Sequence, residues 1–224
     1  MKKSMIIVAG GSGTRMGAEI PKQFIELNGK PILMHTIENL HAMDTEMQLV
    51  LVLPKEQFLF WDDLKKAHNF SIPHALAEGG KTRFISVKNG LSKITDSDVV
   101  GVHDGVRPFV SENVFAACFE SANRTGASIP VVSIVQSLRV LSDDKSSAVD
   151  RNKYRAVQTP QCFQTSILKK AFDSTNRIDY SDDATVVEEY GQRIAMVDGN
   201  AENIKITTPT DLELAELIVR RQSK

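Results

Sequence analysis

Short apolar runs alternate with segments of helical spacing along nearly the whole chain. Residues 5–9 (MIIVA), 47–53 (MQLVLVL), 99–103 (VVGVH) and 127–133 (ASIPVVS, interrupted by Pro130) are β-favouring stretches bounded by Gly, Pro or Asp. Residues 193–197 and 204–207 are shorter late strand candidates. Such runs suit strands covered on both faces. Between them, residues 32–40, 57–67, 83–91, 112–122 and 211–219 repeat apolar positions at three- and four-residue intervals, which predicts helices. In the last of these, Leu212, Leu214, Ala215, Ile218 and Val219 give one apolar face, and Thr210-Asp211 after Pro209 supplies a start signal. Alternating strand and helix predicts an α/β fold of three layers with a mostly parallel sheet. Ligands of such sheets sit beyond the carboxyl ends of the strands.

One stretch breaks the alternation. Gln136–Leu141 and 148–151 flank the polar turn 142–147 (SDDKSS), a β-hairpin with too few apolar residues for a core of its own. An isolated hairpin is marginal in water, so this arm, at about 135–156, is expected to pack on a second subunit. No repeat, low-complexity tract or linker divides the rest. The pattern predicts one domain over 1–224, carrying that arm.

Composition narrows the partners. With 27 basic against 28 acidic residues, the chain has no excess of charge for a nucleic-acid surface. The two cysteines, Cys118 and Cys162, are far apart and lack a C-x-x-C spacing, so buried thiols in a reducing compartment are expected. The first apolar run stops at Gly10, short of the roughly 7–15 residues of a signal-peptide core. No run approaches the roughly 20 apolar residues of a membrane span. A cytoplasmic protein with a small partner is expected.

The turn after the first run carries the chemistry. Gly10-Gly11-Ser12-Gly13-Thr14-Arg15-Met16-Gly17 is followed by Pro21-Lys22-Gln23-Phe24. Glycines let backbone N–H groups approach an anion, and Arg15 and Lys22 add full charge, so a phosphate is the expected ligand. The stretch has no G-x-x-x-x-G-K-[ST] register, and G-x-G-x-x-G fails because Gly17 falls one residue late. A dinucleotide dehydrogenase is therefore disfavoured.

These residues resemble the signature of nucleotidyltransferases that make nucleoside-diphosphate sugars and alcohols. More closely, they are similar to the 2-C-methyl-D-erythritol 4-phosphate cytidylyltransferase family. The resemblance continues through Gly79-Gly80-Lys81-Thr82-Arg83, residues 102–109 (VHDGVRPF), residues 149–152 (VDRN), Gln158-Thr159-Pro160-Gln161, Ser181-Asp182-Asp183-Ala184 and residues 203–207 (NIKIT). It implies a Rossmann-like nucleotidyltransferase domain that moves CMP from CTP to a polyol phosphate. It also implies a homodimer joined through the arm and Mg²⁺ held through the CTP phosphates, with Asp104 the candidate carboxylate beside it. No dense carboxylate cluster exists to cage an ion.

By that resemblance Arg15, Lys22 and Lys205 grip the triphosphate and the transition state. Ala9, Gly10, Gly11, Gly13, Gly79, Gly80 and Ser86 hold the nucleotide, the last three at the base. Asp104 serves the ribose, the metal or the acceptor. Arg107, Ser137, Arg151, Thr159 and Lys205 hold the acceptor, with Ser137 and Arg151 arriving from the neighbour's arm. Three departures stand out: Lys81 where an acidic residue is common, Ser137 where threonine is usual, and Gln136 before it. A helix-leading turn would leave Thr82 as a cap and Arg83 on a solvated face. The five histidines lack metal spacing and read as structural, and Asp182-Asp183 reads as a charged helix start. Ribitol 5-phosphate is the competing acceptor, and a CTP-binding module without catalysis is the competing class.

Overall fold

The protein is described from a computed structural model over residues 1–11, 20–143 and 145–222. The chain runs β1 (Lys3–Val8), the small ribbon β2 (Glu26–Leu27) and β3 (Lys30–Pro31), α1 (Ile32–Met43), β4 (Gln48–Leu53), α2 (Phe58–Ala67), β5 (Ala75–Glu78), α3 (Arg83–Leu91) and β6 (Val99–Asp104). It continues with α4 (Glu112–Thr125), β7 (Ala127–Ser133), the arm strands β8 (Leu138–Ser142) and β9 (Lys145–Val149), β10 (Arg155–Val157) and β11 (Gln161–Gln164). The last part holds α5 (Thr165–Asp173), α6 (Asp183–Glu189), β12 (Ala195–Asp198) and α7 (Pro209–Gln222).

Eight strands form the central sheet. Its path is β5-β4-β1-β6-β11-β7, with β10 and β12 also on β7. Pairings β5·β4, β4·β1, β1·β6 and β12·β7 are parallel, whereas β10 and β11 run antiparallel to their neighbours. Both faces are covered. Met5 and Ile7 join Leu49, Leu51, Phe115 and Phe119 on one side. Ile6 joins Val50, Val52, Val87, Phe172 and Val187 on the other. Side chains alternate across a strand, so continuous apolar runs feed two cores at once, as the three-layer expectation requires. A third cluster seats α7 on Leu27, Ile32, Val106 and Ile206.

Several expected boundaries change. The strand at 127–133 is not interrupted, because the Pro130 carbonyl still accepts the Gln158 N–H at 2.9 Å and the run pairs onward with β12. Residues 204–207 form no strand; a single bond from Ile206 N–H to Val106 O (3.0 Å) ties them to a distant backbone among the described residues. α7 begins at Pro209 rather than at Thr210-Asp211, since Thr208 caps the Asp211 N–H (3.2 Å) while Asp211 accepts from the N–H groups of Thr207 and Thr208. The arm turn is tighter than six residues: Ser142 pairs with Lys145, and Asp143 takes φ of 46°, the left-handed conformation a two-residue hairpin turn needs. Val140 and Leu141 on the arm are exposed.

Candidate active site

The carboxyl ends of β1, β4, β5 and β6 lie side by side, and the residues following them build one cleft. Beyond β1, the Ala9 N–H donates to Val52 O (3.0 Å) and Gln23 Nε2 donates to Ala9 O (2.7 Å), fixing the entry to the glycine turn. Gln23 is buried, and Phe24 beside it packs against Phe60 and Trp61. Between these two anchored neighbours and Pro21, Lys22, in the short 3-10 turn Lys22–Phe24, lies against Gly11. A Cβ on Gly11 would lie 3.5 Å from its Cε. Arg15 and Gly13 fall outside the described residues.

Opposite, Gly79 and Gly80 follow β5. Gly79 N–H donates to Leu53 O (2.8 Å), and Gly80 N–H donates to the Ser86 hydroxyl (3.0 Å), which in turn donates to Thr82 O (2.9 Å). Thr82 caps α3 through the Ile85 N–H (3.3 Å). Ser86 therefore shapes the pocket from within as well as lining it. A cavity of about 250 Å³ is walled by Ala9, Gly10, Gly11, Lys22, Gly80 and Ser86, with Asp104 and Lys205 at its far side. Gly79 stands just outside that wall.

Asp104 ends β6 and holds the centre. Its Oδ2 accepts from Arg107 Nε (3.0 Å) and faces Lys205 Nζ at 3.0 Å. Burial alone would raise this carboxyl, but the charges of Lys205, Arg83 and Arg107 outweigh it and hold it well below the usual carboxylate range. The site thus keeps a permanent anion among cations. Arg107 also donates from Nη1 to Asn203 O (2.8 Å). Gln158 Nε2 reaches Asn200 O (2.9 Å), and Asn203 Nδ2 reaches Thr159 O (2.8 Å). These bonds hold the irregular segment carrying Lys205.

His103, fully buried, is locked beneath. The Asp104 N–H donates to Thr159 Oγ1 (3.1 Å), so the Thr159 proton is left to donate to His103 Nδ1 (3.0 Å). Nε2 must then carry the ring proton and donate to Arg107 O (2.9 Å). The imidazole is neutral, and burial lowers it to about 4 from an ordinary 6.5. Thr159 lines the cleft, yet its hydroxyl is already committed to this internal chain.

A second lobe of about 140 Å³ adjoins the first, walled by Arg107, Gln158, Thr159, Gln161, Ser181 and Asp182. Arg83, Asp104 and Lys205 line both lobes. The solvated face expected for Arg83 is not what forms. Its side chain is 22% exposed, and Nη1 lies 2.6 Å from Oδ2 of Asp183, which is 1% exposed. Sequence reasoning passed over Arg83 because its partner lies a hundred residues downstream; the adjacent Asp182-Asp183 pair was the available signal. Asp182 does cap α6, through Thr185 N–H (3.1 Å), as the charged helix start implied.

Ser137 and Arg151 are exposed on the arm and do not line the cleft. Arg151 Nη1 donates to Val135 O at the base of the arm. Cys118 and Cys162 are buried free thiols. Burial lowers His35 and His74 below the ordinary imidazole value, and each is bonded to a backbone carbonyl, Leu27 O and Ile72 O. Among the described residues, no three Asp, Glu, His or Cys side chains gather to hold a metal. No helix of theirs is long and apolar enough to cross a membrane.

The sequence matches the model of one protein family, IspD: 2-C-methyl-D-erythritol 4-phosphate cytidylyltransferase, over residues 4–221. It is 49% identical to the 2-C-methyl-D-erythritol 4-phosphate cytidylyltransferase of Phocaeicola vulgatus over 219 residues, covering 98% of this chain and 100% of the relative. The enzyme of that name from Bacteroides thetaiotaomicron is 50% identical over the same length and shares. Among solved structures, the Thermus thermophilus enzyme of the same name superposes with a TM-score of 0.78 at 33% identity, over 98% of this chain and 100% of that one. The 4-diphosphocytidyl-2C-methyl-D-erythritol synthase of Anaerococcus prevotii gives 0.84 at 26% identity, over 98% and 96%. A family model that spans residues 4–221 and relatives of about half identity over their whole length leave one conclusion: the chain belongs to the 2-C-methyl-D-erythritol 4-phosphate cytidylyltransferase family.

Proposed function

We propose that the protein transfers CMP from CTP to 2-C-methyl-D-erythritol 4-phosphate, giving 4-diphosphocytidyl-2-C-methyl-D-erythritol and pyrophosphate in the non-mevalonate isoprenoid pathway. The observation that supports this most is the two-lobed cleft whose lobes share Arg83, Asp104 and Lys205. A nucleotide fits the glycine-walled lobe, a polyol phosphate the polar one, and the cations stand where their phosphates meet.

An oxygen of the acceptor phosphate forms a bond to the α-phosphorus of CTP. The bond from that phosphorus to the bridging oxygen breaks, and its electron pair leaves with pyrophosphate. Negative charge grows on the oxygens in between, so catalysis is alignment plus electrostatic stabilisation. Lys22 reaches over the glycine turn toward the phosphates, and Arg15 follows that turn in sequence. Lys205, braced by Asp104, faces the junction. Gly80 and Ser86, with Gly79 just outside the wall, border the end of the glycine-walled lobe assigned to the base. Arg107 and Thr159 border the acceptor.

Mg²⁺ fits this donor set only as an ion carried largely by the nucleotide, because among the described residues Asp104 is the one carboxylate lining the nucleotide lobe and two cations already flank it. When bound, it neutralises charge on the triphosphate. Ser137 and Arg151 do not line their own chain's cleft, and the arm exposes Val140 and Leu141. Both facts favour a single domain over 1–224 whose arm, about 135–156, crosses to a second subunit, joining a homodimer and delivering Ser137 and Arg151 to the neighbour's acceptor. The test is pyrophosphate release from CTP and Mg²⁺, with and without the acceptor. Release only in the complete mixture is expected; none in any mixture would refute the proposal.

A further inference from the structure

The ion pair between Arg83 and Asp183 is a buried charge pair that the roles above leave unused. Arg83 opens α3, next to Thr82 and Ser86 of the base pocket, whereas Asp183 opens α6, next to Ser181 and Asp182 of the acceptor lobe. The pair therefore ties the nucleotide side of the cleft to the acceptor side. The backbone of its acidic member is pinned, and the side chain is buried. Asp183 N–H donates to Gln161 Oε1 (3.0 Å), and Gln161 Nε2 donates to Oδ2 of the capping Asp182 (3.0 Å).

Burying an ion pair is rarely justified by stability, since an apolar pair of the same volume is commonly as stable or more so. Holding a charge at a defined point is the better reason. Asp183 meets Nη1 of a guanidinium that carries five N–H donors in a planar fork, so a phosphate can be met along another edge. The exposed part of Arg83 lies in the walls of both lobes, opposite Asp104 and Lys205. Asp104 also senses the Arg83 charge.

We propose that Arg83 is a further catalytic residue: its guanidinium touches the phosphate passing between the lobes, and Asp183 is the positioning residue that orients it. This role rests on the cytidylyl-transfer reading and adds to it a cation fixed at the junction. An Arg at this point suits an oxyanion whose charge grows during transfer, because the fork is aligned before the substrate arrives.

Arg83→Ala, Arg83→Lys and Asp183→Asn, each checked for folding by circular dichroism and melting, would be assayed beside the wild-type protein with both substrates varied. Arg83→Ala is expected to lower kcat/KM for the acceptor by about 100-fold, mostly through kcat. Millimolar guanidinium ion should restore part of that loss, which a packing defect would not show. Arg83→Lys should recover activity only in part, because an ammonium has no fork. Asp183→Asn should cost about tenfold in the wild-type background and nothing further when Arg83 is alanine. A folded Arg83→Ala protein with wild-type kcat/KM would overturn the role. So would an Arg83→Ala protein that fails to fold beside a fully active Arg83→Lys protein, since that result assigns the pair to the core. If the wild-type protein itself releases no pyrophosphate, the reaction falls and this role falls with it; normal wild-type turnover with unaffected variants removes the role alone.

Discussion

Replacing Gly80 by alanine tests the base pocket through one atom. A Cβ built there would lie 2.5 Å from the Ile85 Cβ and closer still to its Cγ2. Rotating Ile85 moves the Cγ2 but not the Cβ, so a new rotamer gives no relief. Either the start of α3 or the Gly79-Gly80 turn must shift. Overpacking of this kind costs about 1–3 kcal/mol. The shift would also break the bond from Gly80 N–H to Ser86, worth about 1 kcal/mol. Gly80→Ala should therefore lose about 2–4 kcal/mol in urea unfolding, and because the displaced turn lines the cavity, its calorimetric affinity for CTP should also fall, by about tenfold, or about 1.4 kcal/mol of binding free energy. Gly10→Ala is the contrast, because among the described residues a Cβ at that position meets only Pro54 Cδ, at 4.0 Å. It should fold as the parent does, yet bind CTP less well, because Gly10 lines the cavity. A Gly80→Ala protein within 0.5 kcal/mol, as an order of magnitude for a neutral surface change, would refute the packing argument.

Three further outcomes follow from the same geometry. His103 is held neutral with its ionisation lowered to about 4, so the unfolded chain takes up a proton that the folded one refuses between there and 6.5. Stability is full above that window and falls by about 3 kcal/mol as pH drops through it, visible as a declining urea midpoint that His103→Gln should flatten. Asp104→Asn leaves Lys205 and Arg107 facing a neutral amide and should destabilise by about 3 kcal/mol; an unchanged melting temperature would deny the network its role. Lys22→Ala should lower kcat by on the order of 10²–10³. Mixing that protein with an Arg151→Ala protein should restore activity through hybrid dimers, whereas additive inactivity would place Arg151 outside the neighbour's site.

How far the sequence reached depends on where each element's reason lies. β1, β4, β6 and β7 were legible because each carries a run of mostly apolar residues that feeds both faces of the sheet, and α3 was legible to the residue because Thr82 caps it within the same turn. β5 and β11 were not, since ALAE and QCFQ are short and carry polar residues, and only pairing with β4, β6 and β7 makes them strands. Residues 204–207 look β-favouring, but their setting is fixed by side chains elsewhere, those of Arg107, Gln158 and Asn203. The glycine turn stood out through its glycines and the cations after it, and Asp104 through its place after an apolar strand together with the family resemblance. Arg83 did not, because a charged residue reads as solvated until its buried partner is brought to it by the fold. The arm's strands were visible from the polar turn they flank, whereas the tightness of that turn depended on Asp143 adopting a left-handed backbone.

The central claim is that this cleft joins a cytidine nucleotide to a methylerythritol phosphate. Its most direct test is pyrophosphate release measured with CTP and Mg²⁺ and one of two acceptors, 2-C-methyl-D-erythritol 4-phosphate or ribitol 5-phosphate. The account predicts rapid release with the first, loss of that release when Lys22 or Lys205 is removed, and little with the second. Preference for ribitol 5-phosphate, or CTP binding without release from either, would contradict it.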